Sequence, residues 1–77
     1  MFMNGEGEEI IEEIIEYLKQ HRTNDWAANL SFLRDRGRLR LLEAGRNLRI
    51  YQFVSFEGDR LKIKLVSDGT ANYTEII

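Results

Sequence analysis

Apolar positions early in the chain recur at three- and four-residue steps: Ile10, Ile11, Ile14, Ile15 and Leu18. Glu8, Glu9, Glu12, Glu13 and Glu16 fill the other side. This is the period of an amphipathic helix. Acid at its start and Lys19, His21 and Arg22 at its end suit the helix dipole. The pattern predicts a first helix over about residues 8–21, after a flexible lead-in at 1–7 containing Asn4-Gly5-Glu6-Gly7. Thr23-Asn24-Asp25 is a start signal in which Asn24 or Thr23 can cap. Trp26, Leu30 and Leu33 then share one side, and Gly37 suits the position just past a helix end, so a second helix is predicted over about 25–36. A rival reading carries this helix to Ala44 and ends it at Gly45, because Leu41 and Ala44 continue the Trp26 stripe. The longer helix leaves Phe32, Leu39 and Leu42 off the stripe and encloses a glycine at a cost of about 1 kcal/mol. The stop at Gly37 is preferred, and residues 38–44 are where strand and helix readings compete.

From Arg38 onward the period becomes two. Leu39 and Leu41 alternate with Arg38 and Arg40. Leu48, Ile50, Val54 and Phe56 alternate with Arg49, Tyr51, Phe53 and Ser55. Leu61, Ile63 and Leu65 alternate with Arg60, Lys62 and Lys64, and Ala71–Ile77 can form a last strand. Turn residues separate these runs at Ala44-Gly45-Arg46-Asn47, Glu57-Gly58-Asp59 and Ser67-Asp68-Gly69-Thr70. The expected fold is α+β: two N-terminal helices packed on one face of a three- to four-stranded antiparallel β-meander, in two layers, forming a single domain over 8–77.

Alternation sorts the sheet into two faces. The expected core face holds Leu39, Leu41, Leu48, Ile50, Val54, Phe56, Leu61, Ile63 and Leu65. Gln52 interrupts it, which predicts a bulge or slip nearby. The other face then holds Arg38, Arg40, Arg49, Tyr51, Phe53, Lys62 and Lys64. Strand geometry by itself explains the arginine spacing. Exposed aromatic surface among cations points instead to contact with a partner.

Charge sharpens this expectation. The net charge is −2, but it is segregated. Residues 1–18 carry six glutamates and no base, whereas 19–49 carry Lys19 and seven arginines against Asp25, Asp35 and Glu43. Opposite blocks can pair within a chain, between chains or with different partners. A chain of 77 residues buries a modest core, and self-association is a common supplement at this size. The expected function is a small non-enzymatic protein-interaction module that self-associates as a homodimer, its acidic helix laid over the basic sheet. Arg38, Arg40, Arg49, Lys62 and Lys64 would set charge complementarity, with Tyr51 and Phe53 as anchors. The alternative is single-stranded DNA or RNA binding through the same residues, with bases stacked on the two aromatics. A third reading leaves the face solvated, Phe53 being shielded by arginine stems.

The stretch AANLSFLRDRGRLRLLEAGRNLRIYQF resembles the last helix and wing of a winged helix-turn-helix domain. The resemblance implies that Gly37 ends a recognition helix and Arg46 sits at the tip of a basic wing. That family places three helices around the wing, but only two precede it here, with no room for another between His21 and Trp26. The family's DNA-binding role is therefore not carried over.

Signals for chemistry are sparse. There is no cysteine, hence no disulfide or thiolate metal site. His21 is the single histidine, and it falls at a helix end. Glu9 and Glu12, like Glu13 and Glu16, lie one turn apart, but the partner Glu-x-x-His of a di-iron site is missing. Ser31 and Ser55 have no histidine at a catalytic spacing, and Gly5 and Gly7 follow no strand. Arg49, Tyr51 and Lys62 could together stabilise a pentavalent phosphate in a small ribonuclease, an enzyme reading that ranks below the others. No catalytic residue, metal, cofactor or small-molecule ligand is expected. The first residues lack a basic region followed by an apolar run, and no apolar run approaches a membrane span, so a cytoplasmic location is expected.

Overall fold

The computed structural model describes residues 3–23, 25–69 and 71–77, with side chains from residue 9 onward in those ranges. Helix α1 spans Met3–Gln20 and α2 spans Trp26–Arg34. Strands β1 (Gly37–Ala44), β2 (Leu48–Ser55), β3 (Arg60–Ser67) and β4 (Asn72–Ile76) follow. They form one antiparallel sheet in the order β1-β2-β3-β4, with both helices on one face. This is the α+β two-layer arrangement that the periodicity predicts, with the meander at its full four strands.

Helix α1 starts at Met3 rather than near residue 8, so residues 3–7, expected as lead-in, continue the helix. Glycines at 5 and 7 weaken a helix by about 1 kcal/mol each without forbidding it. Helix α2 is capped by Asp25, whose Oδ1 accepts from the Ala27 N–H at 3.0 Å. The cap is thus not Thr23, and Asn24, the other expected cap, lies outside the described residues, as do residues 1, 2 and 70. Helix α2 ends at Arg34, and residues 37–44 are strand, which removes the longer-helix rival.

The core joins Ile14 and Leu18 of α1, Leu30 and Leu33 of α2, Tyr51 and Phe53 of β2, and Ile63 and Leu65 of β3. Phe53 is fully buried and Tyr51 is 8 % exposed. This corrects the expected facing of β2. Phe53 lies opposite Leu39 and Leu61, and Tyr51 opposite Leu41 and Ile63. The two aromatics therefore point with the leucines towards the helices, while Leu48, Ile50 and Val54 take the other face. Both sides of β2 are apolar, so alternation within the strand leaves its facing undetermined. Burial of the larger aromatic rings decides it. Phe56, expected in the core, is 69 % exposed in the turn after β2. Gln52 itself pairs regularly with Arg40 and Lys62, and the irregularity expected near it falls on the neighbouring strand, opposite Tyr51 and Ile50. The register shifts there between Leu41 and Glu43, leaving Leu42 as the extra residue of a bulge in β1.

Two polar devices hold the layers and turns in place. Asn29 is fully buried on α2, and its Nδ2 donates to Thr74 Oγ1 at 2.7 Å and to the His21 carbonyl at 3.2 Å. At the β2–β3 turn, Ser55 Oγ accepts from the N–H groups of Glu57 and Asp59 at 3.2 and 3.0 Å and donates to Asp59 Oδ2 at 3.3 Å. Gly58 in this turn has φ +98°, a conformation that favours glycine. Ser55→Ala strands two turn N–H groups and is expected to cost about 1–2 kcal/mol, read as a lower urea midpoint at unchanged slope.

Candidate functional site

The helices cover one face of the sheet and leave the other open. The pairing of strands places its occupants in rows. Arg38, Val54 and Arg60 form one row, and Arg40, Gln52 and Lys62 the next. Glu43, Ile50, Lys64 and Glu75 form a third, and Leu48, Val66 and Tyr73 a fourth. Along β2 the floor is aliphatic and half-buried: Leu48, Ile50 and Val54, with Gln52 between them. Basic side chains rise on both flanks, from Arg38 and Arg40 on β1 and from Arg60, Lys62 and Lys64 on β3. Strands lie ~5 Å apart, so the two basic flanks stand roughly 10 Å from each other. At one end the trough deepens into a depression of about 470 Å³ lined by Arg38, Leu39, Arg40, Gln52, Val54 and Arg60.

Of the residues expected to form one contact face, Arg38, Arg40, Lys62 and Lys64 do share it. Arg49, Tyr51 and Phe53 do not: they lie on the helix side of β2, and the Arg49 guanidinium carbon is 5.8 Å from the centre of the Trp26 ring. The shared parity of these three residues was legible, but not the side to which it belongs. Arg60, Leu48, Ile50 and Val54 are among the open-face residues that sequence reasoning missed. Arg60 alternates with Leu61 as Lys62 does, so its basic neighbours were the signal for it. Ile50 and Val54 gave no signal, because an apolar residue on a strand is assigned to the core by default.

Electrostatically the open face is unbalanced. Five cations share it with Glu43 and Glu75, and among the described residues none of the five forms an ion pair. The ion pairs present use other cations: Arg22 with Glu75 at 3.0 Å and Arg36 with Glu13 at 2.6 Å. The acidic block sits on the opposite side of the molecule, where Glu9, Glu12, Glu13 and Glu16 are exposed on α1. His21 belongs to a stacked column between the helices. Its ring lies 4.1 Å from Tyr17, Tyr17 lies 3.6 Å from Phe32, and the Arg36 guanidinium carbon lies 3.7 Å from Phe32. His21 Nδ1–H donates to the Tyr17 carbonyl at 2.9 Å, so the imidazole packs and bonds within the helix pair.

Among the described residues no three His, Cys, Asp or Glu side chains gather as metal ligands would, and no helix is long and apolar enough to cross a membrane. Comparison with protein families, with characterised proteins and with solved structures finds no match to this chain.

Proposed function

We propose that this chain is a non-enzymatic interaction module that takes an acidic, amphipathic helix of a protein partner on the open face of its sheet. One observation carries the reading: five cations that form no ion pair among the described residues flank an aliphatic floor on the face that the helices leave bare. A helix is about 10 Å across. Its apolar stripe can lie on Ile50 and Val54 while its flanking carboxylates meet Arg38 and Arg40 on one side and Arg60, Lys62 and Lys64 on the other. Complementary charge of this kind sets orientation and association rate, and the desolvated floor supplies the contact area.

Burial of Tyr51 and Phe53 weighs against single-stranded nucleic acid, because the stacking platforms for bases are withdrawn from the face. A second copy of the chain offers an acidic helix surface of its own on α1. Within one molecule that surface and the basic face lie on opposite sides. A contact between them is therefore head-to-tail and extends into open stacks, whereas two basic faces brought together in a closed dimer would repel.

Sedimentation velocity over a concentration series tests the reading on the chain itself. At low salt the wild type is expected to gain mass steadily with concentration, without a plateau at the dimer, and to lose it as salt is raised. Arg40→Glu combined with Lys62→Glu is expected to weaken this association about tenfold or more. Because both side chains are exposed, each change should move stability by no more than about 0.5 kcal/mol. A chain that stays monomeric but binds oligo-dT or oligo-U with a steep salt slope would replace this reading with the nucleic-acid one.

A further inference from the structure

The two edges of the sheet differ. Edge strand β1 carries Arg38 and Arg40 and is broken by the bulge at Leu42, devices that discourage a further strand from pairing. Edge strand β4 has neither. The Ile77 N–H donates to the Lys62 carbonyl at 3.0 Å, so odd-numbered residues of β4 address β3 and even-numbered ones address the free edge. The Thr74 N–H is taken by the Arg22 carbonyl at 2.8 Å. Thr74 itself is buried, whereas both backbone groups of half-buried Ile76 are left facing the free edge, without a partner among the described residues.

A groove of about 350 Å³ runs beside this edge, lined by Leu18, Lys19, Arg22, Thr74, Glu75 and Ile76. Leu18 and Ile76 make it apolar at the bottom. Lys19 is exposed at its rim and forms no ion pair among the described residues. The Arg22–Glu75 bridge crosses the edge near Thr74, with side chains 58 % and 40 % exposed. A bridge so open to solvent contributes little and yields readily to a competing carboxylate.

We infer that this groove is a second docking site, which takes a short extended peptide as an added strand along β4. Backbone groups of the peptide pair with the N–H and the carbonyl of Ile76. An apolar side chain of the peptide enters between Leu18 and Ile76, and an acidic side chain meets Lys19. Main-chain bonding supplies attachment, and alternate side chains supply selectivity, as in strand addition generally. The site is separate from the basic face, since none of the five cations lines it and only Glu75 of its lining belongs to that face.

The test selects random dodecapeptides on the full chain and titrates a synthetic consensus peptide into isotopically labelled protein. The consensus is expected to combine alternating apolar positions with an acidic one. Binding should shift the amide signals of Leu18, Lys19 and Ile76 and slow exchange of the Ile76 amide about tenfold or more. Lys19→Glu should weaken binding about tenfold, while the Arg40→Glu, Lys62→Glu double variant should bind as the wild type does. Methylating the peptide nitrogen that pairs with the Ile76 carbonyl should abolish binding. The inference is overturned if no peptide is selected, if the selected peptide shifts Arg40 and Lys62 but not Ile76, or if the methylated peptide binds undiminished.

Discussion

Phe53→Ala is expected to destabilise the protein by about 3–5 kcal/mol, the range for emptying a buried phenylalanine site. Phe53 is fully buried between Leu39 and Leu61, in the core that Ile14, Leu18, Leu33, Ile63 and Leu65 help to form. Domains of this length hold roughly 4–12 kcal/mol in total, so the loss is a large share of the whole. The midpoint of thermal unfolding should fall by at least about 12 °C. Phe56→Ala is the control, because that ring is 69 % exposed and its removal should cost no more than about 0.5 kcal/mol. Circular dichroism melts of the two variants thus read the facing of β2 directly. A tolerated Phe53→Ala beside a damaging Phe56→Ala would reverse it, returning Tyr51 and Phe53 to the basic face and with them the stacking surface that nucleic-acid binding needs.

Gly37→Ala is expected to cost about 3 kcal/mol, at the upper end for overpacking. A Cβ at this position meets the Val54 carbonyl oxygen and two Phe53 ring carbons, the latter at 2.8 Å. A carbonyl oxygen held in a strand ladder cannot rotate aside as the tip of a side chain can. Gly45→Ala should be nearly neutral, since its nearest neighbour is Leu48 Cβ at an ordinary 3.7 Å. Combining Gly37→Ala with Phe53→Leu relieves the ring overlap but not the backbone one. The pair should therefore fall about 1 kcal/mol short of additivity in urea unfolding. Full additivity would mean that the glycine and the ring are not in contact.

These two positions show what could be read from the chain and what could not. Gly37 was legible as a boundary, and the helix does end before it. The reason is different, however: it is needed less as a helix terminator than as the space into which the Phe53 ring packs. The elements themselves were legible because each repeats its own period. Ile10, Ile14 and Leu18 mark a helix whatever lies opposite them, and Leu61, Ile63 and Leu65 mark a half-buried strand. Asn29 left a fainter signal, a polar residue on the Trp26–Leu33 stripe, and its bond to Thr74 joins residues 45 positions apart. No local pattern announces a partner at that separation.

The candidate site was half legible for the same reason. Arg38, Arg40, Lys62 and Lys64 alternate with leucine or isoleucine, so their strands face one way unambiguously. Strand β2 offers Leu48, Ile50 and Val54 on one side and Tyr51 and Phe53 on the other. Both sides satisfy the binary pattern, and a change of facing exchanges every side chain between core and surface. Tyr51 and Phe53, expected from sequence as anchors, are consequently buried against the helices, and the open face carries Leu48, Ile50 and Val54 in their place.

The sequence by itself determined two helices, a meander of three to four strands, their order and the segregation of acid from base, because periodicity, turn residues and charge are properties of short stretches. Tertiary structure alone decided which side of β2 is buried, where the bulge falls, and which edge of the sheet is left able to accept another strand. Those outcomes depend on the competition between two apolar faces for one pair of helices, and on backbone groups whose partners lie in distant parts of the chain.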